Sequence, residues 1–304
     1  MLGSYWVGID VGMSSSHEHD ADMGSLQAEK KDEKAEHGHG HSHEHAHGHT
    51  SARIVAIGTV TLGGATFAID REGQIESGAE TEFGVELVGG AAAVPSAAWL
   101  ANPDGTKVCE PAMPEGHDQH WHFNVNPLMP VKKSKFVLRV GEEEAVIDYC
   151  RGAQPVNDGI LSVFKCPADP EWRGYLELKL HGDAGDLELF LYSSAGTATA
   201  WQSSRGKPTP FDVPKETVIC LTFPSHAGKS IELRVRNMDK NEDEDGTANM
   251  RDGGTNYFIF PGETGADPEW IKGEKWRGIV TVTFEAGGKS YAADPFVLVP
   301  HEAL

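Results

Sequence analysis

The stretch that decides the fold is Arg53-Ile-Val-Ala-Ile-Gly-Thr-Val-Thr-Leu62, followed by Gly63-Gly64 and Ala65-Thr-Phe-Ala-Ile-Asp70. Both apolar runs contain β-branched residues, which favour strands because their side chains pack well on a pleated surface. The two glycines between them can adopt the positive φ angles that a two-residue hairpin turn requires. The stretch therefore predicts a β-hairpin, and it begins where a long polar segment ends.

The chain after this hairpin repeats the pattern of short strands and turns. Residues 81–88 alternate polar and apolar side chains, which is typical of a half-buried strand. Residues 174–192 contain two apolar runs around Gly182-Asp-Ala-Gly185 and predict a second hairpin. Turn signals every 8–12 residues or so are the pattern of antiparallel sandwiches. Further strands are predicted at residues 97–100, 106–109, 120–125, 135–140, 218–223, 230–235, 256–260, 279–284 and 289–299.

These patterns predict an all-β protein with two antiparallel, Ig-like β-sandwich domains, at residues 52–150 and 151–304. Residues 150–170 contain Gly and Pro and are predicted to form the junction between the domains. Residues 1–51 contain mostly Ser, His, Glu, Lys, Asp and Gly, with too few apolar side chains to offset the entropy of the chain. We therefore expect a disordered, His-rich N-terminal segment before the two domains.

The charge of the chain restricts the classes of partner. The 304 residues have a formal net charge of -20 and an isoelectric point near 5.1. This charge argues against nucleic acid and against anionic membrane surfaces, since both require a basic protein surface. No stretch approaches the roughly 18 continuous apolar residues of a membrane span, so no membrane insertion is expected. An acidic surface attracts cations, which makes metal ions the favoured partners.

The most distinctive motif is the alternating tract His-Gly-His-Gly-His-Ser-His-Glu-His-Ala-His-Gly-His at residues 37–49. Neutral imidazole is the commonest protein ligand for zinc, copper and nickel. A chain with an imidazole at every second residue can wrap several of them around one ion, although a solvated linker with incidental histidines is the alternative. The predicted ligands of this tract are His37, His39, His41, His43, His45, His47 and His49.

A second histidine cluster lies at Gly116-His-Asp-Gln-His-Trp-His122. On a strand, residues i and i+2 point to the same side, so His120 and His122 are predicted to share a face, with Trp121 on the other. His117 or Asp118 in the preceding loop would complete a three-ligand set. Such His-x-His pairs suit Zn or Cu(II), whereas the alternative is a pair of surface histidines beside a core tryptophan. Three further histidines, His181, His226 and His301, are isolated in the sequence and are expected at the surface.

A third motif, at residues 241–252, matches the spacing of a calcium-binding loop. It has oxygen-bearing side chains at loop positions 1, 3, 5, 9 and 12 and a glycine at position 6. Its predicted ligands are hard oxygens, which favour Ca over Zn. The alternative is an acidic, solvated turn. The candidate ligands are Asn241, Asp243, Asp245, Asn249 and Asp252.

The tract at residues 37–49 resembles the histidine-rich collectors of metal transporters, metallochaperones and exported metal-handling proteins. The His120-Trp-His122 motif and the hairpin at residues 174–192 resemble exported bacterial proteins with Ig-like or copper-resistance-type sandwiches. This resemblance implies a periplasmic or extracellular metal-binding accessory, with a metal transporter or another envelope protein as partner. The first ten residues contain an acidic residue and no basic region, so no signal peptide is recognisable.

Three hypotheses for the function follow. The first is a non-catalytic protein for Zn, Cu or Ni binding or homeostasis. The second is a calcium-stabilised extracellular structural or adhesive protein. The third is an enzyme acting on a polysaccharide held by Trp99, Trp121 or Trp201, which the absence of any recognisable catalytic motif disfavours. The four cysteines, Cys109, Cys150, Cys166 and Cys220, allow three pairings into two disulfides.

Overall fold

The first hairpin is present as predicted in the structure, which is a computed structural model. Strand β1 (Ile54–Leu62) pairs antiparallel with β2 (Ala65–Glu72). The connecting residues Gly63 and Gly64 have φ angles of 58° and 76°. Glycine adopts these angles without a Cβ clash, so the two strands reverse direction within two residues.

The structure describes residues 53–131, 133–150, 152–193, 208–261, 266 and 268–304, and it describes His117 by its backbone. The His-rich segment predicted at residues 1–51, including the seven predicted ligands from His37 to His49, lies outside the described residues. The same is true of Trp201.

The described part of the chain is mostly β-structure, which confirms the all-β fold class. Short 3₁₀ helices occur at Pro224–His226, Glu269–Ile271 and His301–Ala303. Within the described residues, no helix is long and apolar enough to span a membrane. The strands after the first hairpin are β3 (Thr81–Gly90), β4 (Ala97–Ala101), β5 (Glu115–His117), β6 (His120–Val125), β7 (Lys135–Val140), β8 (Glu143–Ile147), β9 (Ile160–Cys166), β10 (Asp169–Leu180), β11 (Leu187–Ser193), β12 (Val213–Pro214), β13 (Ile219–Phe223), β14 (Lys229–Leu233), β15 (Met250–Arg251), β16 (Gly254–Thr255), β17 (Tyr257–Phe260), β18 (Gly278–Ala286), β19 (Lys289–Ala293) and β20 (Phe296–Leu298).

Two of the local predictions differ from the structure. Residues 106–109 do not form a strand, and only Lys107 makes an isolated bridge, to Ala101. The predicted junction at residues 150–170 contains β9, which the sequence pattern did not reveal. This strand is buried on both faces over most of its length, so its residues lack the alternation of polar and apolar side chains that marks a half-buried strand.

The largest sheet in the described part of the chain has fourteen strands. Within this sheet, β9 joins strands from the two halves of the chain. One edge of β9 pairs antiparallel with β10. Its other edge pairs first with β1 in parallel, where Leu161 lies opposite Val55, and then antiparallel with β19, where Phe164 lies opposite Ala293. Backbone hydrogen bonds therefore connect the chain before residue 150 with the chain after it. Two three-stranded sheets, β4-β7-β8 and β12-β16-β15, complete the described sheets.

Within the residues that the structure describes, the buried apolar side chains form two hydrophobic cores. The first core includes side chains of β1, β2, β3 and β6 packed against the β4-β7-β8 sheet, and the rings of Phe83 and Phe136 stack there with centroids 4.2 Å apart. The second core is formed mainly by strands that follow residue 160. Strand β9 contributes Leu161 to the first core and Phe164 to the second. The division into two Ig-like domains at residue 150 stays a prediction.

All four cysteines lie in the described part of the chain, and all four are free thiols. Cys109, Cys150 and Cys166 are buried, whereas Cys220 is half-buried. The structure therefore selects none of the three pairings.

Candidate metal site

One face of the β2-β3-β6 sheet is lined with ionisable side chains. Strand β6 alternates between half-buried and buried residues, which places His120 and His122 on this face and Trp121 in the first core. The antiparallel register sets Glu86 opposite His120 and Gly84 opposite His122. Three further carboxylates lie on this face, because they alternate with inward-facing residues of β2 and β3 and line the same cavity as the two histidines: Asp70, Glu72 and Glu82.

Each of the two histidines contacts its own carboxylate through Nδ1. His120 Nδ1 lies 2.8 Å from Glu86 Oε2, and His122 Nδ1 lies 2.5 Å from Glu82 Oε1. The two imidazole rings are nearly perpendicular, with centroids 4.3 Å apart. A carboxylate bound to one ring nitrogen fixes the orientation of a histidine and raises the basicity of the other nitrogen, as around protein-bound metals. In both residues Nε2 is the nitrogen available to a ligand.

Gly84 makes room for the half-buried carboxylate of Asp70 between the strands. A Cβ atom on Gly84 would lie 2.5 Å from Asp70 Oδ1, a distance that packed side chains do not tolerate. Burial raises the pKa of Asp70, and the charges of Arg277 and His120 oppose that rise. The absence of a side chain at position 84 therefore lets a third acidic group approach the histidine pair.

Arg277, just before β18, reaches this face from the other half of the chain. Its Nη2 lies 2.9 Å from Glu86 Oε2 and 2.9 Å from His120 Nδ1. Burial alone would raise the pKa of Glu86, but hydrogen bonds from His120 and Arg277 lower it instead. Glu86 is therefore a carboxylate anion at neutral pH. When His120 Nδ1 carries a proton it donates to Glu86, and when it does not it accepts from Arg277.

These groups border a cavity of about 90 Å³ that also has apolar walls. A cavity of this size holds an ion with bound water molecules, since one water needs roughly 10–15 Å³ of probe-occupied volume. Burial and the nearby charge of Glu82 raise the pKa of Glu72. The acidic groups outnumber the single arginine, so the cavity attracts cations. Its lining residues are Ile54, Asp70, Glu72, Glu82, Gly84, His120, His122, Ile160, Arg277, Val297 and Val299.

The third predicted ligand of this cluster is close in the sheet register. His117 ends β5 and lies opposite His120 on the neighbouring strand, and Glu115 lies opposite His122. The backbone therefore places His117, His120 and His122 on adjacent strands at one end of the sheet. Their assignment as metal ligands stays a prediction.

Among the described side chains, the ligand groups that already converge lie elsewhere in the fold. Two sets of three ligand atoms within 4.8 Å of one another share His181: one with His301 and Glu302, and one with Glu188 and Glu244. His181 and His301 are isolated in the sequence, where 120 residues separate them. In the fold their ring centroids lie 4.7 Å apart.

The predicted calcium loop begins with a side chain that faces the protein interior. Asn241 is fully buried, and its Oδ1 accepts a hydrogen bond of 2.8 Å from the backbone N–H of Arg236. Its Nδ2 donates to Thr255 Oγ1 and to the carbonyl of Tyr257, both at 2.8 Å. This side chain holds the loop onto β16 and β17.

The other loop residues also do not surround one point. Asp243 accepts hydrogen bonds from the backbone of Thr247 and from the side-chain amide of the buried Asn249. Asp245 and Asp252 are exposed. The calcium hypothesis therefore depends on the spacing in the sequence and stays a prediction.

Comparison with known proteins assigns this chain to no family. The chain matches no protein-family model and no curated protein sequence.

Sequence reasoning missed several residues of this face. The alternation Glu82-x-Gly84-x-Glu86 was visible, because the apolar residues of the same strand defined its opposite side. Asp70 was visible only as the end of a hairpin strand. Arg277 carries no local signal, since it lies 157 residues from His120 and reaches it only in the folded chain.

Proposed function

We propose that the protein is a non-catalytic transition-metal-binding protein that holds Zn or Cu between His120 and His122. The observation that carries this proposal is that both imidazoles contact a carboxylate through Nδ1 and that their ring centroids lie 4.3 Å apart.

The carboxylate contacts favour the imidazole tautomer that a metal ligand needs. A histidine that binds a metal through Nε2 keeps its proton on Nδ1, and a carboxylate at Nδ1 accepts that proton. Metal binding through Nε2 therefore selects the contact of His120 with Glu86 over the contact with Arg277. The carboxylates that orient the ligands are thus ready before the ion arrives, so little reorganisation opposes binding.

The ligand chemistry favours borderline transition metals over calcium and magnesium. Imidazole nitrogen suits Zn, Cu and Ni, whereas Ca and Mg prefer sites made of oxygen alone. The acidic residues around the cavity add long-range attraction for any cation, and the histidines provide the selectivity. His117, water or a nearby carboxylate would complete the coordination.

The His-rich tract fits the same function as a collector of ions. Seven alternating histidines from His37 to His49 offer many weak, interchangeable sites, whereas the β6 pair offers one site of fixed geometry. A collector coupled to a fixed site is the arrangement of a metal-homeostasis accessory. A metal transporter or another envelope protein would be its partner.

The test is a count of bound metal in the full chain and its variants. The protein is stripped of metal, dialysed against Zn²⁺ buffered by a competing chelator, and analysed by elemental mass spectrometry. The tract is the same in every variant, so its contribution cancels in the difference. We expect His120→Ala/His122→Ala to lose one equivalent of zinc, and Glu82→Gln/Glu86→Gln to bind that equivalent about 10–100-fold more weakly.

The matched control is His226→Ala, which removes an imidazole that does not line the cavity; its Nε2 lies 3.1 Å from the backbone carbonyl of Arg277 and not at the guanidinium that reaches His120. Loss of one equivalent in the double variant and not in the control supports the proposal. Equal metal content in the wild type and in the double variant would refute it. Binding of calcium in a parallel dialysis against Ca²⁺, with no zinc bound at this pair, would refute the proposal and favour the calcium hypothesis.

A further inference from the structure

We propose a second, separate zinc site in which the protein ligands are His181 Nδ1, His301 Nε2 and Glu302 Oε1. His301 Nε2 lies 3.2 Å from His181 Nδ1 and 3.2 Å from Glu302 Oε1. All three ligand atoms lie within 4.8 Å of one another. The group is thus already gathered around one point before any ion binds.

Two of the three spacings among these atoms are those found around a tetrahedral zinc ion. Ligand atoms about 2.0–2.1 Å from a tetrahedral metal lie about 3.3 Å from one another. The two separations of 3.2 Å match this edge length, and the third separation is at most 4.8 Å. Zinc can therefore replace the proton that the two imidazoles share with only small movements of the side chains.

The outer nitrogen of His181 has carboxylate partners. His181 Nε2 lies 3.4 Å from Glu188 Oε2 and 3.5 Å from Glu244 Oε1. These contacts hold the proton on Nε2 and leave the Nδ1 lone pair for the metal, which is the usual arrangement around a metal-bound histidine. The two groups that share His181 therefore belong to one site. His181, His301 and Glu302 would bind the metal, and Glu188 and Glu244 would orient His181 from outside.

The supporting carboxylate of Glu188 is itself firmly held. Its side chain is 7% exposed, it accepts a hydrogen bond from the hydroxyl of Tyr257, and Lys179 Nζ lies 3.6 Å away. Lys179 also lies 3.4 Å from Glu244. An outer partner held on several sides fixes the imidazole plane of His181, which favours one coordination geometry.

The fold builds this site by docking a 3₁₀ helix onto a turn. His181 directly follows β10, whereas His301 begins the helix His301–Ala303. The backbone N–H of Gly182 donates to Glu302 Oε2 at 3.2 Å, which orients this ligand. A Cβ atom on Gly182 would lie 3.0 Å from the ring of Pro300, so glycine allows the close approach.

The ligand set determines the class of ion and its mode of binding. Two imidazoles and one carboxylate suit zinc, and three protein ligands leave one tetrahedral position for water or a small ligand. The half-buried histidines and the exposed Glu302 keep that position accessible. The site shares no residue with the face around His120 and His122, so the two assignments succeed or fail separately.

The experiment uses the full chain with the first site removed by His120→Ala/His122→Ala, and it uses Zn²⁺ and Co²⁺ as probes. Metal content is measured with a competing chelator, and the visible absorption of bound Co²⁺ reports four-coordinate geometry. We expect a further His301→Ala substitution to remove one equivalent of zinc and the corresponding four-coordinate cobalt absorption. Glu302→Gln is expected to weaken zinc binding at least 10-fold.

Three comparisons make the test decisive. His226→Ala in the same background is the matched control and is expected to keep the zinc equivalent. Glu188→Gln is expected to keep the cobalt spectrum and to lower zinc affinity about 10–100-fold, because it acts through His181. Unchanged zinc content and cobalt absorption after both His301→Ala and Glu302→Gln would overturn the assignment, and the thermal midpoints of the metal-free variants verify that each is folded.

Discussion

Replacing Arg71 by methionine is expected to destabilise the protein strongly, because this buried cation binds a loop to the first hairpin. Its side chain is 1% exposed. Nε donates to the carbonyl of Tyr149 at 2.7 Å, and Nη2 donates to the carbonyls of Cys150 at 3.0 Å and Ala153 at 2.7 Å. Nη1 donates to the carbonyl of Gly73. The loop that enters β9 is therefore fixed to the end of β2.

The size of the effect follows from these four contacts. A hydrogen bond to a charged group contributes about 1.5–3 kcal/mol, so the four together contribute roughly 6–12 kcal/mol. Methionine has a similar length and avoids the desolvation of a guanidinium group, which costs several kcal/mol. The difference leaves an expected loss of about 3–5 kcal/mol in the free energy of unfolding, within the range found for breaking a buried charged network.

The assay is urea unfolding followed by tryptophan fluorescence, with linear extrapolation to water. Arg71→Lys is expected to lose most of the same stability, because one ammonium group cannot reach four separated carbonyls. Arg53→Met is the matched control. Arg53 is exposed, and its Nη1 donates a hydrogen bond of 2.8 Å to Gln154 Oε1 in the same loop. We expect the control to change stability by no more than about 0.5 kcal/mol. A loss below about 1 kcal/mol in Arg71→Met would show that the buried hydrogen bonds do not hold the loop.

Three further predictions follow from buried groups. Gly84→Ala is expected to lower the free energy of unfolding by about 1–3 kcal/mol, because its Cβ would meet the half-buried carboxylate of Asp70. Gly89→Ala, with open space around it, is the control for urea unfolding. Glu177→Leu is expected to lower the free energy of unfolding by about 2–4 kcal/mol in the same assay, because it leaves three backbone N–H groups without their acceptor. A loss below about 1 kcal/mol would contradict this expectation. Burial raises the pKa of Cys150 to about 11, so its thiol stays protonated at pH 8. In the native protein Cys150 is therefore expected to be alkylated more slowly than the half-buried Cys220, at a rate that rises with pH. Equal labelling of both cysteines at pH 8 would refute this.

Local sequence patterns were sufficient for the fold class and for part of the site. The Gly63-Gly64 turn fixes the first hairpin because two positive φ angles are available there. The alternation of His120, Trp121 and His122 predicted which side chains share a face, since a buried tryptophan determines the register of the strand. Both signals involve residues only a few positions apart, which is the range over which sequence patterns are informative.

The sequence by itself determined the acidic charge, the β-rich fold class and the two histidines of β6 that share a face. Only the tertiary structure decided that β9 joins the two halves, that Glu82, Glu86 and Arg277 surround these histidines, and that His181 meets His301. The physical reason is distance along the chain. Alternation and turn chemistry act between near neighbours, whereas pairing of strands and docking of a 3₁₀ helix bring together side chains that are 34 to 157 residues apart.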